Sequence, residues 1–257
     1  VRYALQLYTV RDALTADLPG TVARVAEIGY TAVEPYNFVA TVDQLEAALR
    51  EHGLVAPSGH APLLGADQEE IFGAAKQLGI ETVIDPHVDR ACWQNAKDIA
   101  RTAEALNAAA AAGAKHGIRV GYHNHEFELQ SRIDGRSGLE VLVDHLDDAV
   151  VLEVDTYWAA VGGEDPVELL RRLGDRVRFI HIKDGPLTTE DKDQVAVGSG
   201  AMPIRDVLAA GSSVETAVVE LDDFTGDIFT AVADSLTYLT SADDTSSATE
   251  TANGATR

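Results

Sequence analysis

Apolar runs and helical spacing alternate from one end of the chain to the other. The run from Tyr3 to Tyr8 is followed by a helical pattern from about Leu18 to Ile28, and a second short run, Ala32-Val33, ends at Glu34. Gly29-Tyr30 separates the two, and the same punctuation returns at Gly53-Leu54, Gly79-Ile80 and Gly117-Ile118. Each is a glycine closing a helical segment, followed at once by strand residues. The residue after a helix often takes a left-handed conformation, which costs least without a Cβ. Further strand-like runs occupy Val150 to Val154, Val177 to Ile182 and Thr216 to Leu221. Helical patterns occupy Gly138 to Leu146, Asp165 to Leu173 and Pro203 to Ala210, with a last one at about Asp227 to Leu239. Asp165-Pro166 marks one helix start firmly, an N-cap followed by a proline whose missing N–H is not needed there.

Counting predicts eight strands alternating with eight helices in roughly 240 residues. Alternation implies parallel strands joined by right-handed crossovers, and eight such units match a closed (β/α)8 barrel, the TIM barrel of the α/β class. An open doubly wound sheet is the competing architecture. It would carry a glycine-rich phosphate turn after its first strand, and Gln6-Leu7-Tyr8-Thr9-Val10-Arg11 contains no glycine. A single barrel domain is therefore expected over residues 1–240. From Ser241 onward the composition turns to Ser, Thr, Ala, Asp and Glu without an apolar period, which predicts a disordered acidic tail over 241–257.

Composition narrows the partners. Forty-two acidic residues face 20 basic ones, a formal charge of −22, and such a surface repels phosphate backbones and anionic lipid. No run approaches the roughly 18 apolar residues of a membrane span. With no charged-then-apolar leader before the first strand, the expectation is a soluble, cytoplasmic protein. Cys92 stands alone, which excludes a disulfide framework and a thiolate zinc cluster.

Polar residues gather where a barrel keeps its chemistry, at the C-terminal strand ends. Those ends offer Glu34, His60, Asp85 with His87, then His123, Asn124, His125 and Glu126, then Asp155, His181 with Lys183 and Asp184, and Glu220. Taken singly, an aspartate at a strand end caps the next helix and a histidine is a satisfied core group. Asp155, His181 and Glu220, however, end three successive strands and converge on the barrel axis. Two carboxylates and a neutral imidazole suit one hard-to-borderline divalent ion, Mn²⁺ first, with Co²⁺ or Mg²⁺ as alternatives. Lys183 lies two residues beyond His181, on the same strand face, where its ammonium can stabilise developing negative charge or pair with Glu153 or Glu220. Glu34 can bond a polar ligand or pair with Arg11, and Trp158 can stack on a ligand or simply pack. His60 and His87 can touch substrate or simply stand exposed on the rim.

The segments Tyr122-His123-Asn124-His125-Glu126-Phe127-Glu128, Glu153-Val154-Asp155-Thr156-Tyr157-Trp158, His181-Ile182-Lys183-Asp184 and Val218-Val219-Glu220 together resemble the xylose isomerase-like TIM barrels. That superfamily is often labelled sugar phosphate isomerase/epimerase. Gly29-Tyr30 through Glu34 and the loop Val197-Gly198-Ser199-Gly200 fit as well, so the resemblance covers about residues 3 to 240. It is specific to the superfamily and not to one reaction. The resemblance implies Asp155, His181 and Glu220 as metal ligands on strands six, seven and eight. Many members place a glutamate on strand five, often followed by asparagine; here the aligned position is His123, followed by Asn124. A ring nitrogen can still bind the ion, so the implied ligand set is His123, Asp155, His181 and Glu220. The two-glutamate proton shuttle of the ketose epimerases then lacks one partner, and His125 or Glu126 becomes the replacement base.

The expected activity is a divalent-metal-dependent isomerase or epimerase acting on a sugar or keto-sugar by proton abstraction alpha to a carbonyl. Glu220, His125, Glu126 and Lys183 carry the catalysis, and Glu34, His60, His87 and Trp158 contact the carbohydrate. The runner-up is a lyase or dehydratase using the same enolisation for β-elimination from an inosose or 3-keto-glycoside. A non-catalytic carbohydrate-binding barrel would predict a broken ligand set, and an apurinic endonuclease is disfavoured by the acidic charge. A homo-oligomer is left open.

Overall fold

The computed structural model describes residues 1–252, with side chains as far as Ser241. Its eight barrel strands are β1 (Arg2–Gln6), β2 (Val33–Glu34), β3 (Ser58–His60), β4 (Thr82–Asp85), β5 (Arg119–His123), β6 (Val150–Asp155), β7 (Val177–Ile182) and β8 (Thr216–Val219). All neighbours pair in parallel, in the order β2-β1-β8-β7-β6-β5-β4-β3. The seam between β2 and β3 is closed by parallel bridges from Ala32 to Val55 and from Tyr36 to His60. The sheet is thus a barrel, and helices cover its outside.

Local chemistry explains the boundaries. The four glycines expected at helix ends all take positive φ. At Gly53 and Gly79, with φ of 67° and 72°, nothing lies within 4 Å of a Cβ, so the demand is conformational and not steric. Asp165 caps its helix through bonds to Val167 N (2.9 Å) and Glu168 N (3.2 Å), with Pro166 at the first position. The first strand stops at Gln6, shorter than its apolar run. There the Gln6 side chain accepts from Tyr8 N at 3.1 Å and turns the chain into a 3-10 segment, Leu7–Val10.

Three short helices exceed the eight expected: Arg11–Ala16, Glu126–Gln130 and Thr156–Val161. Each follows β1, β5 or β6 at the C-terminal rim, where it sets the rim side chains. The last helix runs Ile228–Ala252, so the first part of the expected tail falls on that helix, and residues 253–257 lie outside the described residues.

The main core lies between the strands and the helices. Inside the barrel, strand alternation stacks side chains in layers. Two small apolar clusters, Ala4/Ala32/Val218 and Ile84/Val151/Phe179, fill the interior beneath the polar strand ends. At the opposite mouth Glu215 is gripped by Arg119 (3.0 and 2.7 Å) and Arg178 (2.8 and 2.6 Å), tying the approaches to β5, β7 and β8. Bonds from Arg119, joined by Arg178, hold its carboxyl at about 2 despite partial burial. A carboxyl depressed in the fold adds stability above its unfolded value, and that stability is lost as pH falls toward 2. Glu215→Gln should therefore cost about 1 kcal/mol at neutral pH, solvent screening included. It should also flatten the fall of stability with pH on the acid side. Denaturant unfolding at several pH values checks both, and an unchanged acid limb would contradict the pairing.

Candidate active site

The C-terminal mouth holds two stacked polar layers, and strand alternation produces both. On β6, Glu153 and Asp155 are two residues apart and face inward together, as do His181 and Lys183 at the end of β7. The deeper layer contains Glu34, His60, His123, Glu153 and His181, none more than 7% exposed. Glu153 Oε2 lies 2.6 Å from His60 Nε2, 3.1 Å from His123 Nδ1 and 3.1 Å from His181 Nε2. Glu34 Oε1 meets His181 Nε2 (2.8 Å), His60 Nε2 (3.1 Å) and the Gln6 amide (2.8 Å), while Ser58 Oγ donates to Oε2.

The upper layer contains Asp155, Lys183 and Glu220. His181 reaches it through its other nitrogen, with Nδ1 2.7 Å from Glu220 Oε2. His123 Nε2 lies 3.8 Å from Asp155 Oδ2. Asp155 performs both roles weighed for it. Its Oδ1 caps the helix Thr156–Val161 by accepting from Trp158 N at 2.8 Å, and Oδ2 turns to the site. Lys183 Nζ sits among three carboxylates, 3.0 Å from Asp155, 2.9 Å from Glu220 and 2.6 Å from Asp222. The contact to Asp155 is an ion pair without hydrogen-bond geometry, so Oδ2 accepts no hydrogen bond.

Burial and charge compete at every group. Burial would raise the Glu34 and Glu153 carboxyls, but His60 and His181 outweigh it; Glu34 lies well below the ordinary range and Glu153 falls to about 2. Against its own burial, His60 rises to about 10 beside Glu34 and Glu153. Burial and the neighbouring His181 push His123 well below the usual imidazole value. Burial lifts Asp155 to about 6 even with Lys183 beside it. Lys183 and His181 overcome burial at Glu220 and keep it ionised.

The donor set fits a divalent ion. Asp155, His181 and Glu220 place ligand atoms within 4.8 Å of one another, and so do His60, His123, Glu153 and His181. Asp155 Oδ2 and Glu153 Oε1 are buried without a hydrogen-bond partner. Three of the four expected ligands thus come together directly; His123 joins them beside Asp155 and through the deeper group.

Above the site opens a cavity of about 580 Å³ lined by His60, His87, His125, Glu126, Trp158 and Glu220, among others. His125 stacks on Phe127 (5.5 Å, 6°) and meets His87 and His123 edge-on; burial, with Lys183 nearby, depresses it to about 3. Its backbone N–H donates to Glu128, whose buried carboxyl also accepts from Tyr122 Oη at 2.7 Å and is pushed by burial to about 8. Glu126 takes the Arg90 guanidinium. Glu34 differs from its expected role: it is fully buried, does not line the cavity, and pairs with histidines instead of Arg11. Asp85 and Asp184 prove to be backbone anchors. Asp184 receives the N–H groups of Gly198, Gly200 and Met202 at 2.9–3.0 Å and thereby fixes the glycine loop.

Sequence reasoning offered Glu153 only as a partner for Lys183 and gave no role to Asp222, Tyr8 or Tyr36. Glu153 was legible from its i, i+2 relation to Asp155. Asp222 stands in the same relation to Glu220, and its Oδ2 is shared by Lys183 and Gln194. Tyr8 and Tyr36, edge-to-face at 5.2 Å on the cavity wall, carry no sequence signal beyond being aromatic.

A model of the xylose isomerase-like TIM barrel family matches residues 22–210. The chain belongs to that family. An inosose dehydratase from Geobacillus kaustophilus (strain HTA426) is 27% identical over 202 residues; the match spans 65% of this chain and 65% of that relative's length. A sugar phosphate isomerase/epimerase from Parabacteroides distasonis ATCC 8503 superimposes with a TM-score of 0.81 at 24% identity, over 93% of each chain. A probable 3-DHS dehydratase from Bacillus anthracis does so with 0.73 at 14% identity, over 93% of this chain and 99% of that one. At these identities the two structures attest the fold. No helix among the described residues is long and apolar enough to cross a membrane.

Lys183 is the cation that makes the upper layer tolerable, since a buried carboxylate left without its partner is strongly destabilising. Lys183→Met should cost about 3–5 kcal/mol in the presence of a chelator, and any divalent ion that binds the folded state should restore part of the loss. Chemical denaturation in chelator and with added divalent ions measures both. An unchanged stability in chelator would show that the carboxylates need no counter-charge.

Proposed function

We propose that this chain is a divalent-metal-dependent isomerase or epimerase acting on a sugar or keto-sugar. The reading is carried by one observation: Asp155, His181 and Glu220 converge around a buried lysine at the floor of a polar cavity. In this reading His123, Asp155, His181 and Glu220 hold the ion, Mn²⁺ first given two carboxylates and two imidazoles. When bound, a divalent ion there supplies Lewis acidity that polarises a carbonyl and acidifies the adjacent carbon.

The chain's own residues do the rest. Glu220 is ionised and serves as the base that removes the proton alpha to the carbonyl. His125, neutral at pH 7 and so able to act as a base, lines the same cavity from beyond β5, three strands away around the barrel, and is placed to accept a proton on the other side of the substrate. Glu126, bonded to Arg90, is the alternative partner. Lys183 keeps its proton, held by Asp155, Asp222 and Glu220 against its burial, and offsets negative charge developing on oxygen. Trp158, His87 and His60 contact the carbohydrate from the cavity wall. Asp191, Asp222 and Asp223 on that wall support a substrate without phosphate, and the charge of −22 argues against nucleic acid. The half-buried lone Cys92 is compatible with the cytoplasm.

A second reading, dehydration of an inosose or 3-keto-glycoside by β-elimination, shares the first proton transfer. It is favoured by the inosose dehydratase relative and by His123, where the proton shuttle of an epimerase would have a carboxylate.

Incubation with Mn²⁺ in D₂O and a panel of free sugars, inososes and 3-keto-glycosides tests the common step. Deuterium should enter at the carbon beside the carbonyl, and Glu220→Gln should slow that exchange by about 10²–10⁴-fold. Lys183→Met should lower kcat more than it raises KM. Turnover without solvent deuterium, together with an active Glu220→Gln variant, would point to internal hydride transfer instead.

A further inference from the structure

The two histidines assigned as ligands each offer two ring nitrogens, and the structure treats the two nitrogens of each ring differently. His123 Nδ1 is 3.1 Å from Glu153 Oε2, which leaves Nε2 toward Asp155 Oδ2 at 3.8 Å. His181 Nε2 is 2.8 Å from Glu34 Oε1, which leaves Nδ1 toward Glu220 at 2.7 Å. In both rings the nitrogen facing down meets a deep glutamate, and the nitrogen facing up meets a rim carboxylate. The rings are 3% and 0% exposed, so neither can turn over without disturbing its neighbours.

We propose that Glu34 and Glu153, linked through His60, are positioning residues whose carboxylates fix which ring nitrogen of His123 and His181 faces the ion. Neither glutamate lines the cavity, so neither meets substrate. Gln6 and Ser58 hold Glu34 in place. His60 Nε2 lies between the two carboxylates, 2.6 Å from Glu153 and 3.1 Å from Glu34, and its ring stacks parallel to His181 at 5.2 Å. A carboxylate on the far nitrogen of a ligand histidine sets its tautomer and ring angle and strengthens it as a donor.

This role rests on the ligand assignment made above, and one set of titrations separates the two. Mn²⁺ is titrated calorimetrically into the full chain, Asp155→Asn, Glu153→Gln and Glu34→Gln, and the imidazole nitrogen couplings of bound Mn²⁺ are read by pulsed electron paramagnetic resonance. The wild type should bind one ion, and Asp155→Asn should lose it. Glu153→Gln and Glu34→Gln should keep one ion with about 10–100-fold weaker affinity and altered nitrogen couplings. If Glu153→Gln does not fold, Glu34→Gln reports the same role through His181. Unchanged affinity and couplings in both glutamine variants would overturn the positioning role and leave the ligand assignment intact. Loss of the ion in Glu153→Gln but not in Asp155→Asn would place it among His60, His123, Glu153 and His181, making Glu153 a ligand. A wild type that binds no Mn²⁺ would remove the ligand assignment and the positioning role together.

Discussion

A carboxylate in the middle of a β-barrel persists only where cations or donors surround it, and Glu153 sits under that constraint. Three imidazole nitrogens lie within 3.1 Å of its Oε2. Burying an unpaired charge costs so much that the partners become obligatory. They must come from β3, β5 and β7, and meeting them fixes the relative heights of three strands. The rim inherits that registry: with His123 and His181 anchored from below, their upper nitrogens meet Asp155 and Glu220. Lys183 then balances the upper carboxylates as the histidines balance the lower ones.

The same arrangement links stability to chemistry. Glu220 is ionised because Lys183 and His181 stand beside it, and Lys183 is charged because Asp155, Asp222 and Glu220 surround it. An ionised carboxylate and a charged ammonium are thus maintained by mutual pairing. The short helices after β5 and β6 complete the rim through local bonds, Asp155 capping one and Glu128 holding the backbone of His125 at the start of the other.

The barrel was legible because its signals are local. Gly53 and Gly79 close helices by backbone conformation, and Asp165-Pro166 opens one by capping, so strand and helix alternation can be read from neighbours in sequence. The rim cluster was legible because Asp155, His181 and Glu220 end successive strands. The deep layer was not, since Glu34 and Glu153 gain their meaning from histidines far away in sequence: 147 residues separate Glu34 from His181 and 93 separate Glu153 from His60. Strand alternation, applied to His181 and Lys183, would have turned Glu153 inward with Asp155. It could not have shown that Glu34 points at histidines and not at a sugar, which depends on the height of β2 in the closed barrel.

The central claim is that two layers of charge divide the labour, the deep one orienting and the upper one holding the ion. Anomalous difference density from crystals grown with Mn²⁺, collected on the high-energy side of the manganese edge, locates the ion directly. The account predicts one peak bounded by His123 Nε2, Asp155 Oδ2, His181 Nδ1 and Glu220, with Glu34 and Glu153 beneath it and out of coordination range. A peak among His60, His123, Glu153 and His181, or no peak at the barrel mouth, would contradict it.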